Sequence, residues 1–150
     1  MENRKIINAT PTDFDGVKFR SKLETSIYKA LLAKGIDVNY EPQKCKVWDK
    51  DGFQVPYYDR SGKKPFGLIT SKPICVHYTP DMIFDYKGIR VFLEVKGFKN
   101  DVAPYKIRMF REWLDKYADE TKTKCCYAVV YAIKDVNSLL NILDNESQTI

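Results

Sequence analysis

Apolar residues recur along this chain with two different periods, and the switches between them mark the elements. Leu23, Ile27, Ala30 and Leu31 fall on one helical face, as they do when one stripe of a helix is buried. The stripe predicts a helix over 22–34, with Ser21 as its N-cap and Gly35 as its stop. Ile36, Val38, Tyr40 and Val47 alternate loosely with polar residues and predict a strand within 36–48. Residues 49–77 keep no sustained period. Turn signals at Asp51-Gly52 and Ser61-Gly62 flank a short apolar run, Phe53 to Tyr58, which predicts a projecting hairpin or an exchanged ribbon. Apolar runs over 82–86 and 90–95 meet at Lys87-Gly88 and predict a second hairpin.

Ile107, Phe110, Leu114 and Tyr117 form another helical stripe, so a helix is expected over 104–117, with Pro104 in its first turn. A strongly apolar strand is expected over 125–133 and a short final helix over 136–143. Residues 1–18 carry Pro11, Gly16 and several polar residues and read as an N-terminal arm. The order helix, strands, helix, strand, helix predicts an α/β fold, a mixed β-sheet flanked by helices.

Composition narrows the class. At 150 residues the chain reads as a single domain over 1–150, large enough to bury about 68–70% of its unfolded surface. Hydrophobic residues make up 44% and aromatics 13%, a globular rather than a disordered composition. No apolar run approaches the ~18 residues of a membrane span. The start, Met1-Glu2-Asn3-Arg4-Lys5, leads into no signal-peptide core, so an intracellular, cytoplasmic protein with no membrane partner is expected. Lys and Arg outnumber Asp and Glu by 25 to 20, a net +5 that is compatible with a nucleic-acid partner. Cys45, Cys75, Cys125 and Cys126 form no C-x-x-C, and His77 is the one histidine. That composition argues against a zinc site and against a histidine-based nucleophile.

The candidate chemistry lies in two runs. Asp81 ends Tyr78-Thr79-Pro80-Asp81, and Glu94 and Lys96 sit in Val91-Phe92-Leu93-Glu94-Val95-Lys96-Gly97. The second run is apolar enough for a strand buried on both faces, where side-chain alternation puts Glu94 and Lys96 on one side and Val95 on the other. Charges there are costly to desolvate without partners. A metal ion held by Asp81 and Glu94, with Lys96 beside it, is one such partner, and carboxylate oxygen suits a hard cation. Ser21-Lys22-Leu23-Glu24 fits a capping box, in which Glu24 returns to the N-cap amide.

Taken with their order, the blocks Phe19-Arg20-Ser21-Lys22-Leu23-Glu24, Lys34-Gly35-Ile36, Tyr40-Glu41, Tyr78-Thr79-Pro80-Asp81 and Glu94-Val95-Lys96-Gly97 resemble the PD-(D/E)xK nuclease superfamily. Within it they resemble the phage endonuclease I family of Holliday junction resolvases and related small phage nucleases. The resemblance covers roughly residues 14–117 in scattered blocks. It implies a restriction-endonuclease-like sheet and a Mg2+-dependent endodeoxyribonuclease, with Mn2+ able to substitute. It implies catalytic roles for Glu24, Asp81, Glu94 and Lys96, with Asp81, Glu94 and Glu24 as metal ligands. Lys96 would orient the attacking water or stabilise charge on the phosphorane, and the products would be a 5′-phosphate and a 3′-hydroxyl. A phage or mobile-element origin, branched DNA as substrate and a homodimer are also implied. The stretch 42–77 is longer than expected before the Asp, and is read as an extended or dimer-forming insertion.

Further residues have two readings each. Lys99, Lys106, Arg108 and Arg111 are either a solvated face or contacts to the DNA backbone, as are Arg20 and Lys22, with Lys63, Lys64 and Lys72 as additional candidates. Tyr78 is expected to pack below Asp81. The rival functions are a simple nicking or double-strand endonuclease, and a non-catalytic DNA-binding or assembly module on a nuclease fold.

Overall fold

The structure, a computed structural model, describes residues 10–97 and 103–148. The chain opens with β1 (Thr12–Phe14) and β2 (Val17–Phe19), followed by helix α1 (Lys22–Ala33) and β3 (Val38–Tyr40). Next come β4 (Cys45–Trp48), β5 (Tyr58–Asp59), β6 (Gly67–Leu68) and β7 (Val76–Tyr78). Then follow β8 (Met82–Tyr86), β9 (Ile89–Val95), α2 (Ala103–Thr121), β10 (Cys125–Val130) and α3 (Ile133–Ser147). The main sheet has the order β10-β9-β8-β3. β9 and β10 are parallel, while β8 runs antiparallel to both β9 and β3. Among the described residues the fold is therefore mixed α/β, a mixed sheet with three helices.

The period-two pattern of β9 sorts the core into two layers. Val91, Leu93 and Val95 face one side and join Phe84 with Ile27 and Leu31 of α1 and Val136 and Leu140 of α3. Phe92 faces the other side and packs with Ile83, Cys45, Tyr78 and the α2 residues Phe110 and Leu114. Burying a side chain of this size stabilises by roughly 1.5–3 kcal/mol, so the strand's register is strongly determined. The two-residue turn between β8 and β9 has both Lys87 (φ 49) and Gly88 (φ 81) at positive φ, the condition of a type I′ hairpin turn.

Five elements differ from the expectation. Residues 12–19 form a hairpin rather than an arm: Phe14 and Val17 pack against the first core layer, and the Phe14 ring meets Tyr28 edge-on at 6.3 Å. The strand expected within 36–48 breaks at Glu41, whose φ of 43 turns the chain ahead of Pro42, so β3 and β4 belong to different sheets. Helix α2 continues to Thr121, four residues past its last expected stripe position. The strand expected to reach 133 stops at Val130, and α3 begins at Ile133 because Asp135 accepts from the amides of Tyr131 and Ala132.

Between β3 and β8 the chain makes a long excursion. β4 and β7 pair antiparallel, Cys45 opposite Tyr78, and root a ribbon on the second core layer. Beyond it β5 and β6 form a short hairpin, and residues 49–66 are all exposed. Among the described residues no helix is long and apolar enough to cross a membrane.

Candidate functional site

Register brings the candidate carboxylates together. Met82 pairs with Leu93, so the next step places Asp81 across from Glu94 where β8 begins and β9 ends. Asp81 closes that end of the sheet: its Oδ2 accepts from the Val95 amide at 2.7 Å, and its carbonyl accepts from the Glu41 amide at 2.8 Å. Glu94 and Lys96 lie on one face, as alternation requires, with Lys96 Nζ 3.3 Å from Glu94 Oε1 and their side chains 12% and 17% exposed, respectively. The Tyr78 hydroxyl donates to the other Glu94 oxygen at 2.5 Å. That uses its one proton, so the Tyr127 hydroxyl, 2.8 Å away, donates to Tyr78. The Tyr78 ring rests on Phe110 at 4.4 Å. Tyr78 therefore orients Glu94, where the sequence had suggested Asp81.

Glu24 arrives on the first turn of α1. Ser21 Oγ accepts from the Glu24 amide at 3.2 Å, which is the N-cap half of a capping box. The other half is displaced by one residue. The Glu24 carboxylate accepts from the Arg20 amide at 3.3 Å and from the Tyr40 hydroxyl at 2.5 Å, and the residue is only 5% exposed. Glu24 is thus a buried acid turned toward the strand end as well as a helix-terminus residue. Glu41, whose conformation breaks the strand, stands nearby and pairs with Arg20 Nε at 2.9 Å.

Burial and repulsion from neighbouring acids raise the proton affinity of Asp81 and Glu94. The Asp81 carboxyl is pushed up to about 8, first by desolvation and then by the charge of Glu94, with Glu24 and Glu41 adding and the Val95 amide opposing. Glu94 is also pushed up, chiefly by burial, against the stabilising hydrogen bond from Tyr78 and the charge of Lys96. Burial and the adjacent acids drive Tyr78 and Tyr40 well above the ordinary tyrosine range, so both remain hydrogen-bond donors. Topology adds a field. α2 follows the end of β9, α3 follows the end of β10, and Glu24 ties the start of α1 to the end of β3. Three helix N-termini therefore sit at this end of the sheet, where their dipoles favour negative charge.

Oxygen donors that repel one another suit a hard divalent cation, whose charge would relieve the repulsion. Asp81 and Glu94 are the pair that fits this role. Among the described residues no three His, Cys, Asp or Glu side chains are grouped to hold a metal ion; Glu24 is engaged by Tyr40 and Arg20 and reaches the pair through its charge.

The candidate DNA contacts are distributed around this end. Arg20 is exposed but occupied by Glu41, and Lys22 is exposed on α1. Lys106 is half-buried in the first turn of α2, while Arg108 and Arg111 are exposed at a three-residue spacing that makes them neighbours on the helix surface. Lys99 lies outside the described residues. Sequence reasoning passed over Tyr40, Glu41 and Tyr127 as site residues. Tyr40-Glu41 stood in one of the blocks without a role, and nothing local marks Tyr127, whose partner Tyr78 is 49 residues away. The chain matches no protein-family model, no curated protein and no solved structure.

Proposed function

We propose that this chain is a metal-dependent DNA endonuclease of restriction-endonuclease-like type, hydrolysing phosphodiester bonds in branched DNA such as four-way junctions. The observation that carries the reading is the pair Asp81–Glu94, brought opposite each other by the β8–β9 register, half-buried, with the Asp81 carboxyl raised first by desolvation and then by the charge of Glu94, and with Lys96 on the face of Glu94. Stability alone gives little reason to bury such a pair. Asp81 and Glu94 would hold Mg2+, or Mn2+ in its place, with Glu24 adding charge, and the ion would supply Lewis-acid polarisation of the phosphate and acidification of water.

The residues divide the work. Val95 fixes Asp81 through its amide, and Tyr78 fixes Glu94 through its hydroxyl, so both carboxylates are positioned before substrate arrives. Lys96 offers its ammonium to charge developing on the phosphorane. Lys22, Lys99, Lys106, Arg108 and Arg111, and Arg20 when released from Glu41, contact the sugar–phosphate backbone without reading bases. Coordinated cutting of two strands calls for two such sites, and a twofold homodimer supplies them.

The test is cleavage of linear, nicked, flapped and four-way DNA of matched sequence, with Mg2+, Mn2+ or EDTA, beside light scattering for mass. Metal-dependent cutting with preference for the four-way substrate by a dimer is expected. A monomer cutting linear DNA equally well overturns the junction reading and leaves a simpler endonuclease. Binding without cutting in either metal overturns the nuclease reading.

A further inference from the structure

The ribbon segment from Lys44 through β4 to β7 is rich in unbalanced positive charge. Residues 44–77 contain seven Lys and Arg against three Asp and no Glu, a net +4 out of the chain's +5. The three acids are engaged locally. Asp49 pairs with Lys46 at 3.4 Å and Asp51 with Lys72 at 3.0 Å, while Asp59 accepts from the Tyr57 hydroxyl at 2.6 Å. Among the described residues, Lys44, Arg60, Lys63 and Lys64 have no carboxylate side chain paired with them. The same stretch also exposes rings: Phe53, Tyr57, Tyr58 and Phe66 are each more than half exposed. Trp48 stacks on Phe53 at 6.1 Å, and Lys50 lies 4.6 Å over the Phe53 ring.

Free cations interleaved with solvent-facing rings call for a partner that offers negative charge and flat π faces together. Unpaired nucleotides do so, because phosphates meet the cations and unstacked bases meet the rings. A duplex keeps its base faces hidden. An acidic peptide brings charge without the planar surfaces. A second copy docked symmetrically here would set one +4 segment against another. The location also suits a strand-binding element. Tyr78 ends β7 and its hydroxyl holds Glu94, so the root of the ribbon adjoins the candidate site.

We propose that the ribbon and its β5–β6 tip form a single-strand nucleic-acid grip, with Tyr58 and Phe66 stacking on bases and Arg60, Lys63 and Lys64 on phosphates. Its placement deepens the nuclease reading and rests on it, but its test needs no cleavage. The experiment is fluorescence anisotropy of the full chain in EDTA with a labelled thymidine oligomer of about 20 nucleotides and a blunt duplex of the same length. For Tyr58→Ala/Phe66→Ala, binding of the single strand is expected to weaken at least tenfold, roughly one stacking contact or more, with duplex binding within about twofold. Lys63→Ala/Lys64→Ala should weaken both and lower the single-strand salt slope by about 1.4. Because these side chains are exposed, the variants should melt with the parent protein, which separates a binding loss from a folding loss.

Unchanged single-strand binding in the ring variant overturns the proposal, as does an equal loss on the duplex. A parent dimer that the ring variant splits, with oligomer binding intact, assigns the surface to a second copy instead. Binding to anionic vesicles but not to the oligomer assigns it to a lipid surface. Lost ring dependence with metal-dependent cutting retained removes the grip alone, and ring-dependent binding without any cutting removes the nuclease alone.

Discussion

Asp81→Asn should stabilise the metal-free protein while abolishing its cleavage. The carboxyl is held near 8 rather than at its ordinary 3.8, and each pH unit between those values is worth about 1.4 kcal/mol. At pH 7 the folded state therefore holds Asp81 largely protonated, which costs on the order of 4 kcal/mol relative to a carboxyl that ionises freely. Asparagine keeps an oxygen for the Val95 amide, which Asp81 now engages at 2.7 Å. Its new NH2 group needs an acceptor, and going without one costs roughly 1–3 kcal/mol. The net gain expected at pH 7–8 is about 1–3 kcal/mol. The sign follows from proton counting. A raised folded-state pKa means that the folded protein holds more protons than the unfolded chain between about pH 4 and 8, so stability is lost as pH rises across that window. Urea melts in EDTA at pH 5, 6, 7 and 8 should show the parent losing stability with pH faster than the variant, the two curves crossing. Mg2+ should then raise the melting temperature of the parent at pH 8 and leave the variant unmoved. A variant destabilised by the same amount at every pH would refute the electrostatic frustration on which the metal assignment stands.

Lys96→Ala should lower kcat by about 10²–10³ while leaving DNA affinity within about twofold; a raised KM at unchanged kcat would make Lys96 a binding residue. Glu24→Gln keeps an oxygen for Tyr40 and Arg20, so stability should move by less than about 1 kcal/mol while cleavage falls; a large stability loss with activity per folded molecule intact would return Glu24 to a purely capping role. Tyr78→Phe removes the hydrogen bond that favours ionised Glu94, so the acid limb of the pH–rate profile should shift to higher pH; an unmoved limb would show that Tyr78 only fills space.

The helical stripes were readable because three or four apolar residues repeat in each, and their burial is non-local only in what they touch. Leu23, Ile27 and Leu31 end in the first core layer and Phe110 and Leu114 in the second, as period 3.6 requires. The two-faced burial of β9 followed from its composition in the same way. What stayed hidden depends on single backbone conformations or on distant partners. Glu41 is a non-glycine residue at positive φ, and no residue type announces such a break. β1 and β2 are three residues each, too short for alternation to register, and Asp15-Gly16 was the only sign of their turn. At the site, Asp81, Glu94 and Lys96 could be read because the strand's own period aligns them. The phenols of Tyr40 and Tyr127 could not, since a tyrosine at an apolar position of a strand pattern is most often part of the core.

The β8–β9 turn has a consequence for how this site can change over evolutionary time. Asp81, Glu94 and Lys96 all lie on one hairpin closed by Lys87 and Gly88, a unit of the kind that forms in about 1–10 μs without waiting for the rest of the chain. Opposition of the two acids depends on the number of residues between them, because inserting one residue in the turn shifts the pairing and turns every later side chain of β9 to the other face. Glu94 would then be driven into the layer now filled by Leu93, and Leu93 would take the place beside Tyr78. Substitutions in the turn that keep positive φ are open to drift, whereas a single-codon insertion or deletion there removes the core and the candidate chemistry together. Gradual remodelling of this protein is thereby directed away from the hairpin and toward the exposed excursion between β4 and β7, where length can vary without disturbing either layer.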